Sequence, residues 1–176
     1  MSDRPVENRG IEQTDAIVEI AKDFHWEMGH RLPFHEGGCR NLHGHSYRMR
    51  LVVAGYPDAN GMVVDYFEMR RIIAPFVEEL DHAFLCDRSD TVVLTFLQDN
   101  DMKHVVVDFP STAENIATWM LEEVARRLAA QTNLTRIAVR LHETERTYAE
   151  ASRTILPVAS ESNKPDDTVG EGECRG

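Results

Sequence analysis

From Glu19 onward the chain alternates. Ile20, Phe24, Trp26, Met28 and His30 share one parity, while Glu19, Asp23, His25 and Glu27 share the other. Successive side chains on a strand point to opposite faces, so this two-residue period predicts a half-buried strand. Pro33 and the Gly37-Gly38 pair then interrupt it with a loop. A second strand is expected from about Leu42 to Ala54. Its inward set is His43, His45, Tyr47, Met49, Leu51 and Val53, and its polar set is Ser46, Arg48 and Arg50. Residues 55–61, with Pro57, Asp58 and Asn60, read as a turn-rich connection.

Helical spacing follows. Met69, Ile72, Ile73, Phe76, Val77 and Leu80 make one apolar stripe. Asp65 is expected to cap this helix, with Glu68 in the capping-box position. Pro75 within the stripe predicts a kink or a break. A second helix is expected from Ser111, with a box ending at Glu114 and a stripe through Ile116, Ala117, Met120, Leu121, Val124, Ala125 and Leu128. Residues 104–109 form a short strand-like run, and residues 135–141 and 146–155 read as two closing strands. The order predicts an α+β sandwich, a sheet with a helix pair on one face. Residues 1–15 are polar and without period, the pattern of a loose arm. Beyond Pro157 the chain turns to Ser, Asn, Asp, Gly and Glu, the pattern of a disordered acidic tail. One domain over 16–156 is expected between them.

Composition narrows the function. A chain of 176 residues, 42% hydrophobic, suits one compact core. Its apolar runs are too short to span a bilayer, and no leader opens it, so no membrane partner and no secretion are expected. Cys39, Cys86 and Cys174 are odd in number and scattered, which points to a reducing cytoplasm. A net charge of −11 argues against nucleic-acid binding, which needs an excess of Lys and Arg facing phosphates. Within residues 21–50 the balance reverses: Lys22, Arg31, Arg40, Arg48 and Arg50 face only Asp23, Glu27 and Glu36. A small anionic ligand and a solvated mix of charges both fit that segment.

Candidate chemistry concentrates in the same region. Of the 8 histidines, His25, His30, His35, His43 and His45 fall within one short stretch. His43 and His45, two apart on a strand, project from one face with backbones about 7 Å apart. His30 ends the preceding strand on the inward parity, whereas His25 points the other way. Three neutral imidazoles without a fourth protein ligand describe a catalytic zinc with an open position. Spacing alone leaves that reading balanced against ordinary surface or core histidines. Cys39 stands four residues before His43 in a Gly-rich loop, where Arg40 and a metal would favour the thiolate. Asp81-His82 follows the first helix; a carboxylate there can fix the imidazole's tautomer for proton exchange, or both can be solvated charges at a helix end. Glu143, on a late strand, could accept paired N–H donors from a ligand or face solvent.

The segments WEMGHRLPFH, CRNLHGHSYRMRLVVAG, GMVVDYFEMR, ELDHAF, PSTAENIATWM and HET, in that order, resemble the 6-pyruvoyltetrahydropterin synthase family across residues 20–150. The gap of three residues between Cys39 and His43 resembles the 6-carboxytetrahydropterin synthase branch of queuosine biosynthesis; a gap of five resembles the pyruvoyl-forming branch. The resemblance implies a T-fold: a four-stranded antiparallel sheet with two helices on one face. Trimers of such sheets would assemble into hexamers, with active sites between subunits. It implies a zinc-dependent carbon–carbon lyase acting on a pterin triphosphate. His30, His43 and His45 would hold Zn2+, and Cys39 would act as general base with Asp81 and His82 as its proton relay. Glu143 would clamp the pterin and Thr112 would help seat it. Lys22, Arg48 and Arg50, read as polar-face residues, would serve the triphosphate. A pyruvoyl-forming enzyme on a related dihydropterin and a non-catalytic zinc- or pterin-binding relative are the alternatives. Three features depart from the family pattern: Met28-Gly29 before His30, Cys86 after the LDH segment, and the long stretch 87–109.

Overall fold

The computed structural model describes residues 16–155, so the arm at 1–15 and the tail at 157–176 lie outside the described residues. The first strand, β1 (Val18–His30), pairs antiparallel with β2 (His43–Gly55) along its whole length, Val18 opposite Gly55 and His30 opposite His43. Trp26 faces Tyr47 and Phe24 faces Met49 in that register, and all four are buried. β5 (Leu134–His142) adds antiparallel to β2, and β6 (Tyr148–Thr154) adds antiparallel to β5.

Two further strands enlarge the sheet beyond the expected four. β3 (Ala83–Asp87) lies parallel to β1 and touches it only at Met28–Ala83 and Gly29–Phe84; β4 (His104–Val107) lies parallel to β3. The six-stranded order is β4-β3-β1-β2-β5-β6. Between β3 and β4 runs a helix with no sequence expectation, α2 (Thr91–Asp99), making three α-helices with α1 (Tyr66–Leu80) and α3 (Ala113–Arg127). The long stretch 87–109 is thus a strand–helix–strand unit on the sheet margin. The α+β class stands, and four of the strands are the antiparallel set.

Burial alternates as the pattern requires. Met69, Ile73, Phe76 and Leu80 of α1 and Ile116, Met120 and Val124 of α3 share one core with the inward residues of β1, β2 and β5. The opposite face carries Asp23, His25, Glu27, Ser46 and Arg50, all exposed. Lys22 does not join them. It has the inward parity of Phe24 and rests its ammonium over the Tyr66 ring, 6.0 Å from the centroid.

Helix ends differ in detail from the sequence expectation. Asp65 caps α1 by accepting from the Phe67 amide at 2.6 Å, but Glu68 turns to Arg71 and closes no capping box. Pro75 sits within α1 without ending it. The cap of α3 is Thr112, which accepts from the Asn115 amide at 3.3 Å. Ser111 is one residue too early for that role. It is buried, and its hydroxyl donates to the Arg31 carbonyl at 3.1 Å.

Candidate metal centre

The β1–β2 register puts His30 directly across from His43, with His45 next on the same face. Directly opposed residues of an antiparallel pair bring their Cβ atoms within about 4.5–5.5 Å, so the rings must meet. Ring centroids lie 4.5 Å apart for His30–His43, 5.2 Å for His30–His45 and 5.1 Å for His43–His45. One ligand nitrogen from each falls within 4.8 Å of the others.

Backbone carbonyls orient two of the rings. His30 Nδ1 lies 2.8 Å from the Ser111 carbonyl, and His43 Nδ1 lies 2.8 Å from the Asn41 carbonyl. A carbonyl only accepts, so each Nδ1 carries the proton and each Nε2 keeps a free lone pair. His30 Nε2 is buried and has no hydrogen-bond partner. An orphaned buried acceptor is costly unless something occupies it, and a divalent cation fits a donor set of three neutral imidazoles. Burial, with repulsion from His43 and His45, lowers the His30 pKa to about 4, outweighing the Ser111 contact. Burial lowers His45 as well, against the nearby Glu143 charge. His30 and His45 are therefore held towards the neutral form that ligation requires.

Glu143 follows the last residue of β5 and stands at the cluster's edge. Its carboxylate lies 3.7 Å from His30 Nε2 and accepts a 3.4 Å hydrogen bond from the Tyr47 hydroxyl. Burial and Glu143 together push the Tyr47 phenol well above its ordinary value, so it stays a donor. Thr112 spends its hydroxyl oxygen on the α3 cap and retains its hydroxyl proton.

Cys39 sits half-buried in a single 3-10 turn, Gly38–Arg40, whose Cys39 carbonyl receives the Leu32 amide at 2.8 Å. Among the described residues, no hydrogen bond joins it to Asp81 or His82 within the chain. Those two end α1. Asp81 accepts from the Glu27 amide at 2.9 Å and pairs with His82 Nδ1 at 3.0 Å. The Glu27 amide, followed by His82, holds the Asp81 carboxyl below its usual range. His82 is exposed and lines two cavities. One, of 360 Å³, is shared with His45; the other, of 440 Å³, is shared with His43.

Several residues of this region carried no sequence signal. Ser111 and Asn41 act through main-chain carbonyls, which any residue could supply. Asp90, the cap of α2, grips Arg31 bidentately at 2.5 and 2.6 Å, beside His30. Only the fold brings that pair together. Arg48 meets His142 at 3.2 Å and Arg50 lies 3.8 Å from Asp23, so both basic side chains already have neighbours on the polar face.

The family profile for 6-pyruvoyl tetrahydropterin synthase matches residues 19–154. The 6-carboxy-5,6,7,8-tetrahydropterin synthase of Haemophilus influenzae is 32% identical over 142 residues, covering 76% of this chain and 98% of its own. The enzyme of the same name from Rickettsia conorii is 26% identical over 137 residues, covering 76% and 99%. Among solved structures, 6-pyruvoyl tetrahydropterin synthase from Plasmodium vivax superposes with a TM-score of 0.66 at 19% identity, covering 80% of this chain and 100% of that one. A crystal structure of an uncharacterized protein from Wolinella succinogenes gives 0.66 at 25% identity, covering 77% and 98%.

Proposed function

We propose a catalytic role from one premise: the chain belongs to the 6-pyruvoyl tetrahydropterin synthase family. It is a zinc-dependent lyase of the 6-carboxy-5,6,7,8-tetrahydropterin synthase type, serving queuosine biosynthesis in the cytoplasm. It takes 7,8-dihydroneopterin triphosphate and water to 6-carboxytetrahydropterin, acetaldehyde and triphosphate. The names of the relatives support the reaction, as does the three-residue gap between Cys39 and His43. The observation that carries the reading is the convergence of His30, His43 and His45 within 4.8 Å, two of them with Nδ1 already committed to a carbonyl.

In this reading the three imidazoles hold the metal through their free nitrogens. Zinc bound there supplies Lewis-acid polarisation of the substrate side-chain oxygens. Glu143, kept in place by the Tyr47 hydroxyl, receives the amino and ring N–H groups of the pterin in a charge-assisted pair. Thr112 offers its remaining hydroxyl proton to the same ligand. Cys39, as thiolate, removes a carbon-bound proton. His82 exchanges protons through Nε2, because Asp81 fixes Nδ1–H. Cys39 and the Asp81–His82 pair would then meet across a subunit boundary. Among the described residues, the outer edge of β6 and the side of β1 away from β2, up to Glu27, pair with no strand, which supports a trimer or hexamer in which neighbouring sheets satisfy those edges.

Zinc-loaded protein incubated with dihydroneopterin triphosphate should release acetaldehyde. That release should fall at least a hundredfold in His43→Ala and Cys39→Ala. A pyruvoyl product in place of acetaldehyde would reassign the branch, and full turnover in either variant would remove the role given to that residue.

A further inference from the structure

Helix α1 ends in an unusual way. It has no basic residue in its last turn, and its carbonyl end has no glycine to carry the chain into the left-handed region. His82 does that instead, at φ 57°. A left-handed conformation is unfavourable for a non-glycine residue, and it persists only where surrounding contacts enforce it.

Those contacts come from both sides. On one side the His82 amide donates to the Glu27 carbonyl at 2.7 Å, and the Glu27 amide donates to Asp81 at 2.9 Å. On the other side stands Lys103, in the loop between α2 and β4. Its ammonium donates to the carbonyls of Glu78 at 2.9 Å and Asp81 at 2.6 Å. Its own carbonyl receives the Phe84 amide at 3.0 Å. Lys103 thus supplies from a distant segment the cation that a helix C-terminus favours, and it brackets His82 between two of its own bonds. It also lines the 440 Å³ cavity with His82 and His43.

We propose that Lys103 is a positioning residue for the Asp81–His82 pair: by tying down the carbonyls of Glu78 and Asp81, it holds His82 in its left-handed turn at the cavity shared with His43. The proposal rests on the proton-relay reading of Asp81 and His82 given above. Lys103 itself touches no reacting atom; it works through the backbone on which the imidazole is mounted.

Lys103→Met keeps the apolar stem and removes the donors, and Lys103→Arg restores donors that reach both carbonyls. In steady-state assays of the zinc-loaded enzyme with dihydroneopterin triphosphate, Lys103→Met should lower kcat about tenfold and leave KM within twofold. Lys103→Arg should recover most of that loss. Hydrogen exchange at the His82 amide should speed at least tenfold in Lys103→Met and return towards wild type in Lys103→Arg. Wild-type kcat and wild-type exchange in Lys103→Met, with His82→Ala inactive, would overturn the positioning role and leave the relay intact. An unimpaired His82→Ala would overturn the relay itself, and the positioning role with it. A Lys103→Arg as slow as Lys103→Met would also overturn the proposal.

Discussion

At the scale of single residues, parity explains most of the site. His30, His43 and His45 announce themselves because a strand returns every second side chain to the same face, and a full-length antiparallel pairing opposes two of them. Parity said nothing of the two carbonyls that orient the rings, since a main-chain acceptor leaves no mark in residue type. Reading Lys22 as a polar-face residue went against its own parity, and its long stem lets that inward position end in an ammonium over an aromatic ring. The burial of His30 carries a pH consequence. Its folded pKa, about 4, lies below the ordinary value of 6.5. The unfolded chain therefore takes up a proton that the folded chain refuses, and stability is lost as pH falls from about 6.5 towards 4. The loss reaches about 3 kcal/mol for a shift of this size. His45 and His142 are lowered too and act in the same direction. Urea unfolding of chelator-treated protein at pH 7 and pH 4.5 should show the loss, and His30→Asn should shrink it. Equal losses in both proteins would mean that His30 is not the group responsible.

At the scale of elements, the strands were legible except β3. β1 and β2 alternate in burial, so their sequence alternates. β3 is covered on both faces, with Ala83, Leu85 and Cys86 all buried, and a five-residue buried run has no period to read. α2 is only nine residues long, too short for its Val93–Leu97 stripe to stand out from a strand. The starts of α1 and α3 were found to within a residue, but Thr112 rather than Ser111 caps α3, because Ser111 is drawn inward by Arg31 and His30. Asp90 fastens α2 to the residue after His30, combining a helix cap with a bidentate ion pair whose carboxylate is buried. Asp90→Ala leaves the Arg31 guanidinium without its carboxylate and α2 without its cap. Denaturant unfolding should register a loss of about 2 kcal/mol, discounted for the partial exposure of Arg31. A loss below about 0.5 kcal/mol would show that α2 is held mainly by Val93 and Leu97.

At the scale of the molecule, the antiparallel group β1-β2-β5-β6 and its covering helices α1 and α3 follow from alternation and helical stripes. Of the marginal pair, β4 answers to the strand-like run expected at 104–109, while β3 follows from no pattern. Among the described residues, the outer edges of β4 and β6 and most of the β3-facing side of β1 stay open, and proteins rarely leave such edges facing water. Sedimentation at micromolar concentration should report three or six chain masses; a stable monomer with full turnover would show that the site is complete in one chain. The seam between the two groups is narrow, since β1 and β3 share only the Met28–Ala83 and Gly29–Phe84 pairs. Phe84 presses so close to Gly29 that an added methyl would stand 2.9 Å from its ring. The marginal unit is in effect a graft, joined to the stock along the sheet at one small union, with Leu85 and Val107 set into the main core. Changing the length of the loop between α2 and β4 would spare that core while loosening the Lys103 grip on His82. The three imidazoles thus stand on the stock while His82 is steadied from the graft, so the second can drift without disturbing the first.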